Sequence, residues 1–239
     1  MNPLPLTRSC FATVAAAVLS GALLTGCEGG AASNQETDTR SFTVSDKVTA
    51  LSIEASGGDM EVTGDSGTTV RVTETITYTG DRPKTGRQVS DGRLSLSAGP
   101  DCGPIDDSDC DMTYQVKVPS TLLSVRLVER GGSIKLKNLA GAVEAHTTGG
   151  SLRADKLAGK SLVAKVSGGE MTGNFTKAPG KVDVDTNGGN VSVIVPSTAS
   201  YAVDAKSAGG KSKVSVTTDP GSARTIKLRA VGGNVSLTS

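Results

Sequence analysis

Apolar and polar residues alternate along most of the chain in short runs. Residues 69–72, 114–118 and 134–136 are examples in which every second residue is apolar. A period of two is typical of strands that bury one face, whereas an amphipathic helix places apolar residues three or four positions apart. Val and Thr dominate these runs, and Gly or Pro bounds them. The pattern therefore predicts an all-β protein with almost no helix after the first residues.

Gly-Gly pairs divide the second half of the chain into similar units. Six pairs begin 18, 19, 20, 21 and 23 residues apart, at Gly131, Gly149, Gly168, Gly188, Gly209 and Gly232. In five of the units an apolar residue stands second after the pair, namely Ile134, Leu152, Met171, Val191 and Val235. Each unit also contains a second short apolar run. This repeat predicts a β-solenoid, similar to a parallel β-helix, with coils of about 20 residues whose inward faces are buried by stacking.

The glycines have a physical reason to recur at the corners of such a solenoid. A chain that turns sharply needs a positive φ, and stacked corners leave no room for a Cβ atom. We therefore expect Gly149→Val to damage folding and Lys135→Thr to leave it intact. The alternative is that Gly-Gly marks hairpin turns of a β-sandwich, but the regular spacing favours the solenoid.

The first half of the chain fits the repeat less well. Residues 42–98 have longer strands and a single Gly-Gly pair at Gly57, so we expect an N-terminal β cap that protects an open strand edge. The expected organisation is a leader at 1–26, a tether at 27–41, N-terminal strands and a disulfide loop at 42–112, and the solenoid at 113–239. Because the chain stops directly after a predicted strand at 234–237, that strand is expected to be an open edge that permits self-association.

The first residues have the pattern of a lipoprotein signal peptide. Residues 11–24 are apolar or small, follow the single charge of Arg8 and lead into a Leu-Thr-Gly-Cys sequence that ends at Cys27. This stretch is too short to span a bilayer, which needs about 20 residues. We expect cleavage after residue 26 and lipid attachment to Cys27, which would hold the protein on the outer face of a bacterial membrane. The alternative is an ordinary secretory signal that ends in Cys by chance.

Two of the four cysteines remain for a structural role. Cys10 is lost with the leader and Cys27 is lipidated, which leaves Cys102 and Cys110 to form a disulfide in an exported compartment. Zinc ligation by this pair is a weaker alternative, because no further ligand lies nearby and the single histidine is His146.

An acidic stretch beside this pair is the most site-like segment of the sequence. Four carboxylates fall within six residues, at Asp106, Asp107, Asp109 and Asp111. Calcium prefers several oxygen ligands, so these residues are a hypothetical calcium site. The EF-hand spacing fails, because the twelfth position counted from Asp107 is Val118 and not Glu. A solvated acidic loop is the alternative.

Composition narrows the classes of function. Without residues 1–26 the chain has 24 basic and 24 acidic residues, and no basic patch is interleaved with aromatic residues, so nucleic acid is not an expected partner. Aromatic residues are only 3%, which gives little support for sugar stacking. Motifs of hydrolases, metalloproteases and nucleotide-binding proteins are missing, so neither an enzyme nor a cofactor is expected. A glycan-active enzyme that uses Asp155, Lys181, Asp183 and Asp185 is the alternative.

The Gly-Gly units follow a Tyr-x-Val-x-Val-Pro strand formed by Tyr114, Val116, Val118 and Pro119. In this arrangement residues 42–239 resemble a family of exported bacterial proteins of unknown function that are described as candidate adhesins. The resemblance implies a β-helix-like fold and display at the cell envelope. It brings no functional residues with it.

Two functions are consistent with these features. The first is a membrane-anchored surface lipoprotein whose non-catalytic solenoid binds a cell-wall polymer or an envelope protein through its outward residues, among them Lys135, Lys137, Arg153, Lys165 and Asp185. The second is an accessory protein of envelope-stress signalling that contacts a membrane sensor.

Overall fold

The computed structural model describes residues 35–98 and 110–239, and these residues form strands without any helix. The all-β prediction is confirmed for this part of the chain. No helix in it has the length and hydropathy needed to cross a membrane. The strands are β1 (Gln35–Val44), β2 (Ala50–Ser56), β3 (Met60–Asp65), β4 (Val70–Thr79), β5 (Thr85–Ser90), β6 (Arg93–Ala98), β7 (Cys110–Pro119), β8 (Ser124–Arg130), β9 (Ile134–Lys137), β10 (Ala142–Thr148), β11 (Leu152–Leu157), β12 (Ser161–Ser167), β13 (Met171–Phe175), β14 (Lys181–Asn187), β15 (Val191–Ile194), β16 (Ala202–Ala208), β17 (Ser212–Ser215), β18 (Thr225–Val231) and β19 (Val235–Thr238).

The strands form two sheets that share one hydrophobic core. The ten-stranded sheet has the order β1-β4-β7-β3-β9-β11-β13-β15-β19-β17, and the nine-stranded sheet has the order β16-β18-β14-β12-β10-β8-β2-β6-β5. From β8 onwards consecutive strands alternate between the sheets, and a Gly-Gly pair lies between the two strands of each unit. Because neighbouring units pair in parallel, each unit is one coil of a solenoid-like stack.

The coils are in register, so equivalent inward residues stack on one another. In the nine-stranded sheet Val143 pairs with Val125 on one side and with Leu162 on the other. The five apolar residues that follow the Gly-Gly pairs form one buried row in the ten-stranded sheet, and none is more than 1% exposed: Ile134, Leu152, Met171, Val191 and Val235. The predicted inward face is therefore confirmed.

The two glycines of each Gly-Gly corner are required for different reasons. The first glycine of each pair has a positive φ, as at Gly149 (+96°). The second approaches the corner before it, and a Cβ atom on Gly150 would lie well under 3.0 Å from the carbonyl oxygen of Gly132. Such a distance is essentially never seen for real Cβ atoms. The expectation of both a positive φ and an excluded Cβ is therefore correct.

Hydrogen bonds tie each corner to the next. The N–H of Gly149 donates to the carbonyl of Ser167 at 2.7 Å. At most corners the residue after the pair adds a second link, because its side chain accepts the backbone N–H of the equivalent residue on the neighbouring coil. Examples are Ser151 N–H to Ser133 Oγ at 3.2 Å and Asn234 N–H to Asn190 Oδ1 at 2.9 Å.

The order of coils in the stack differs from their order in the chain at both ends. The coil β2/β3 lies between β6/β7 and β8/β9, and the last coil, β18/β19, lies between β14/β15 and β16/β17. The open edge expected at residues 234–237 is therefore wrong, because β19 pairs with both β15 and β17. The exposed edges at this end belong to β16 and β17 instead.

The N-terminal strands close the other end of the stack. Here β4 pairs antiparallel with β7 and β1, and β5 pairs antiparallel with β6. The expected boundary between residues 112 and 113 falls inside β7, which pairs with both β3 and β4. Residues 33–239 accordingly form one compact unit.

Residues 35–41 of the tether predicted at 27–41 belong to a strand, because β1 begins at Gln35. The outward residues of β1 carry hydroxyl groups, so a search for hydrophobic patterns does not find this strand. Thr39 Oγ1 lies 3.1 Å from Thr75 Oγ1, and Ser41 Oγ lies 3.0 Å from Thr73 Oγ1. Residues 1–34 and 99–109 lie outside the described part of the chain.

The exclusion of a Cβ atom at the corner can be separated from the cost of a positive φ. Gly150→Ala should lower the free energy of unfolding by several kcal/mol or prevent folding, because the methyl group would overlap the carbonyl of Gly132. Gly80 has a φ of +85° but nothing within 4 Å of an added Cβ, so Gly80→Ala should cost only about 1 kcal/mol. Urea unfolding of both variants, with Lys135→Thr as the surface control, tests this; equal losses at Gly150 and Gly80 would contradict it.

The inserted position of the last coil predicts an unusual response to truncation. A chain that ends at Arg224 lacks β18 and β19, which are the strands that join β16 and β17 to the rest of the stack. Hydrogen exchange should therefore show that the amides of β16, which is still present in the truncated chain, lose their protection. In a stack that followed chain order only the final coil would be lost, so a protected β16 in the truncated chain would contradict the described order.

Candidate functional site

The outer face of the ten-stranded sheet is polar and rich in hydroxyl groups near its N-terminal end. Side chains alternate between the faces of a strand, so the residues between the buried ones of β1, β4 and β7 point outward. Most of these are Thr or Ser, and they lie side by side across the strands: Thr37, Thr39, Ser41, Thr43, Thr73, Thr75, Thr77 and Thr113.

A groove of about 450 Å³ lies on this face. It crosses β1, β4, β7 and β3, and we call it the outer-face groove. Its polar lining consists of hydroxyl groups, one amide and three charged groups, from Ser41, Thr43, Thr63, Thr73, Gln115, Glu61, Arg71 and Lys117. Hydroxyl, amide and cationic groups together can bind a ligand that carries both hydroxyls and negative charge.

Two cations face each other directly inside the groove. Arg71 of β4 and Lys117 of β7 are partners in the antiparallel register, with outward side chains. Like charges in directly opposite positions destabilise a sheet, in contrast to the stabilisation given by opposite charges. Arg71 forms an ion pair with Asp65, whose other carboxylate oxygen accepts the N–H of Gly67 at 2.7 Å. Lys117 forms no ion pair within residues 35–98 and 110–239.

The neighbouring lysines of this face are neutralised. Lys137 Nζ lies 3.2 Å from Glu61 Oε1, and Lys135 Nζ lies 3.1 Å from Asp59 Oδ2. The N–H of Ser133 and the ammonium group of Lys135 hold the pKa of Asp59 below its ordinary value, against the opposing effect of partial burial. The positive charge of Lys117 is therefore left for a ligand, whereas those of Lys135 and Lys137 are already compensated.

A second cluster of ionisable groups lies inside the stack, away from the groove. Glu74 is 5% exposed, and its Oε2 accepts the phenol O–H of Tyr114 at 3.1 Å. Its Oε1 accepts the hydroxyl of Thr85 at 3.2 Å. Burial, reinforced by the charge of Glu74, raises the pKa of Tyr114 far above its ordinary value. These bonds link the cap strands β4 and β5 to the first coils.

Glu129 is a buried carboxylate with a different environment. It is 1% exposed, and neither of its oxygens reaches hydrogen-bonding geometry with a donor in the described part of the chain. Burial raises the pKa of Glu129 to about 7, and the nearby N–H groups of Gly132 and Arg130 offset only part of this shift. The protein therefore holds Glu129 in its neutral form more readily than an unfolded chain would.

The sequence of this chain matches that of a known protein family. A family model described as Toastrack DUF4097 matches residues 32–238. The chain belongs to the Toastrack DUF4097 family. This confirms the resemblance to the bacterial family of candidate adhesins with Gly-Gly repeats that was inferred from the sequence. A comparison with curated proteins found no match.

Several solved structures match this Toastrack chain over most of its length at low identity. A candidate cell adhesion protein from Clostridium sporogenes ATCC 15579 is 13% identical, with a TM-score of 0.45, over 85% of this chain and 99% of that chain. A candidate adhesin from Bacteroides fragilis NCTC 9343 is 14% identical, with a TM-score of 0.41, over 84% and 97%. One from Parabacteroides merdae ATCC 43184 is 11% identical, with a TM-score of 0.39, over 85% and 97%. At these values the likeness carries no information about a ligand.

The Toastrack fold brings together only some of the outward residues singled out in the sequence. Lys135, Lys137 and Arg153 lie side by side on the ten-stranded sheet. Lys165 and Asp185 are partners in the nine-stranded sheet. The five residues therefore do not form one binding surface.

The residues of the hypothetical enzyme are also separated. Asp155 belongs to β11 of the ten-stranded sheet, whereas Lys181, Asp183 and Asp185 belong to β14 of the other sheet. His146 Nε2 lies 3.1 Å from Glu144 Oε1, and Glu144 also pairs with Arg126. This is a surface ion cluster on the nine-stranded sheet.

The acidic stretch lies mostly outside the described residues. This applies to Asp106, Asp107, Asp109 and Cys102, and equally to Cys27. Asp111 is exposed near the start of β7, and Cys110 begins that strand and packs against the core. Residues 35–98 and 110–239 contain no group of three or more Asp, Glu, His or Cys side chains placed to hold a metal ion. The calcium site, the disulfide and the lipidation of Cys27 stay predictions.

Sequence reasoning missed the groove and the buried acids for different reasons. The pairing of Arg71 with Lys117 depends on an antiparallel register between distant strands, which the sequence does not reveal. Glu129 could have been found, because it stands two residues before a Gly-Gly pair, where the other coils have Ala, Ser, Thr or Val. A charged residue at that inward position is the exception in the repeat.

The raised pKa of Glu129 predicts a loss of stability as the pH rises. The unfolded carboxyl ionises near 4.5 and the folded one near 7, so the native state is favoured below the first value and loses stability between the two. Glu129→Gln should remove this loss, which is at most about 3 kcal/mol. Urea unfolding at several pH values tests this, with Glu170→Gln as the exposed control. The same pH dependence in wild type and Glu129→Gln would contradict the assignment.

Proposed function

We propose that the protein is a surface lipoprotein that binds an anionic, hydroxyl-rich polymer of the bacterial cell envelope without catalysis. In this proposal a lipid on Cys27 holds it at the extracytoplasmic face of the membrane, as the Leu-Thr-Gly-Cys sequence supports. The family match is consistent with an exported protein, and the binding surface is the outer-face groove.

The observation that carries the proposal is the pair of facing cations in a hydroxyl-lined groove. Because Asp65 already pairs with Arg71, a phosphate or carboxylate between Arg71 and Lys117 would compensate the remaining charge of Lys117 and form charge-assisted hydrogen bonds. The hydroxyl groups of Ser41, Thr43 and Thr73 can bond to the hydroxyls of a polyol or sugar beside that charge.

The shape of the surface suits an extended ligand. The hydroxyl rows continue past the groove along β1 and β4, so a polymer can lie across several strands and repeat the same contacts. The ionisable groups that line the groove are Arg71, Lys117 and the ion-paired Glu61. Two cations and one ion-paired carboxylate are better suited to binding an anion than to general acid–base catalysis.

The test is a binding titration of the chain from Glu28 onwards, which retains the compact unit 33–239. Poly(glycerol phosphate) should bind in a salt-dependent manner, and neutral dextran should bind much more weakly. Lys117→Gln should weaken binding of the phosphate polymer about tenfold, whereas Lys160→Gln, which changes an exposed lysine in the turn before β12, should not. Equal binding by the two lysine variants, or no binding of the phosphate polymer, would contradict the proposal.

A second experiment separates polymer binding from signalling. A photo-crosslinker in place of Gln115, within the groove, should give polymer adducts on intact cells. Adducts confined to one membrane protein would instead support an accessory role in envelope-stress signalling.

A further inference from the structure

The two ends of the stack are built differently, and the N-terminal end is protected. Its edge strands β1 and β5 carry charges at positions that face inward. Arg82 Nε lies 2.5 Å from Asp38 Oδ2, and the guanidinium group of Arg87 lies 4.4 Å from the centre of the Phe42 ring. Inward charges on an edge strand disfavour the addition of another strand, because pairing would bury them.

The C-terminal end has no such protection. The inward positions of its edge strands β16 and β17 are apolar or small, at Val203, Ala205, Ser207, Ser212 and Val214. The residues that they pair with on β18 and β19 are almost fully buried, whereas Val214 is 41% exposed. A groove of about 660 Å³ opens between the two strands, lined by Val203, Ala205 and Val214 among others.

This end leaves two strand edges open at once. Because β16 and β17 are the outermost strands of two facing sheets, their unpaired N–H and C=O groups lie on both sides of the exposed apolar core. A single added strand would satisfy one edge only. A partner that satisfies both must present two edges at the same sheet spacing, and the matching end of a second copy does so.

We propose that two copies of the chain form a two-fold dimer through β16 and β17. Pairing β16 with β17 of the second copy brings Asp204, which already pairs with Lys206 and Arg229 of its own sheet, towards Lys211 and Lys213, which point outward. Pairing β17 with its own equivalent would place lysines opposite each other, which is unfavourable. A two-fold contact also closes on itself, so the protected N-terminal ends stay free and no filament grows.

The size of the interface sets the expected affinity of the dimer, and the position of the interface leaves the outer-face grooves free. The paired segments are short, four and seven residues, so the interface is small and the dissociation constant is expected to be roughly micromolar. The outer-face groove lies on β1, β4, β7 and β3 at the opposite end of the stack. A dimer would therefore carry two free grooves and could bind a polymer at two points.

Sedimentation velocity of the chain from Glu28 onwards, at concentrations from below to well above micromolar, tests the dimer. Val214→Lys places an inward charge at the open end, as Asp38 does at the other end, and should weaken association at least about tenfold. Leu123→Lys replaces a 68% exposed leucine in the turn before β8 and should leave association unchanged. Hydrogen exchange should show added protection of β16 and β17 at high concentration.

A wild-type chain that stays monomeric throughout this range would overturn the proposal. So would equal association of the two lysine variants, or added protection on β1 and β5 instead of β16 and β17. Asp204→Lys provides a second variant at an outward position, and it should also weaken association, because the new lysine and Lys206 would both face Lys211 and Lys213 of the second copy. These outcomes are independent of whether the outer-face groove binds a phosphate polymer.

Discussion

The stack depends on the contact between consecutive Gly-Gly corners. Parallel strands lie about 4.8 Å apart, and at the corners this distance is possible only because the second glycine has no side chain. A Cβ atom on Gly150 would overlap the carbonyl of Gly132, and one on Gly169 would overlap that of Gly150. The first glycine supplies the positive φ that turns the chain from one sheet to the other. With the corners aligned, every inward and outward row is in register.

The parts of the fold that follow from this local rule could be predicted from the sequence. The alternation of apolar and polar residues predicted the strands, and the spacing of the Gly-Gly pairs predicted the buried row that includes Ile134 and Val191. The order of coils could not be predicted, because β16 and β18 have the same alternating pattern and either could pair with β14. The strand β1 was missed because its outward face is hydroxylated. The groove was missed because its facing cations come from strands whose antiparallel register is not local.

The register also explains how a sequence with few distinctive residues can build a binding surface. Each outward residue is repeated beside its equivalent on the next strand, so single Thr, Ser, Lys and Arg residues become rows. Most charges in these rows are compensated, as at Lys137 and Glu61. Two places in the stack carry a proposed interaction: Lys117, which faces Arg71 and has no ion pair in the described part of the chain, and the apolar or small inward positions of the open edge strands β16 and β17.

Native-state hydrogen exchange of the corner glycines tests the central claim most directly. The N–H of Gly131, Gly149 and Gly168 donates to the carbonyl of the next coil, at 2.6, 2.7 and 2.7 Å. If the corners hold the stack, these amides exchange only when the whole domain unfolds, with the same free energy as global unfolding. Exchange of these amides by local opening, while the central strands stay protected, would show that the corners follow the stack and do not determine it.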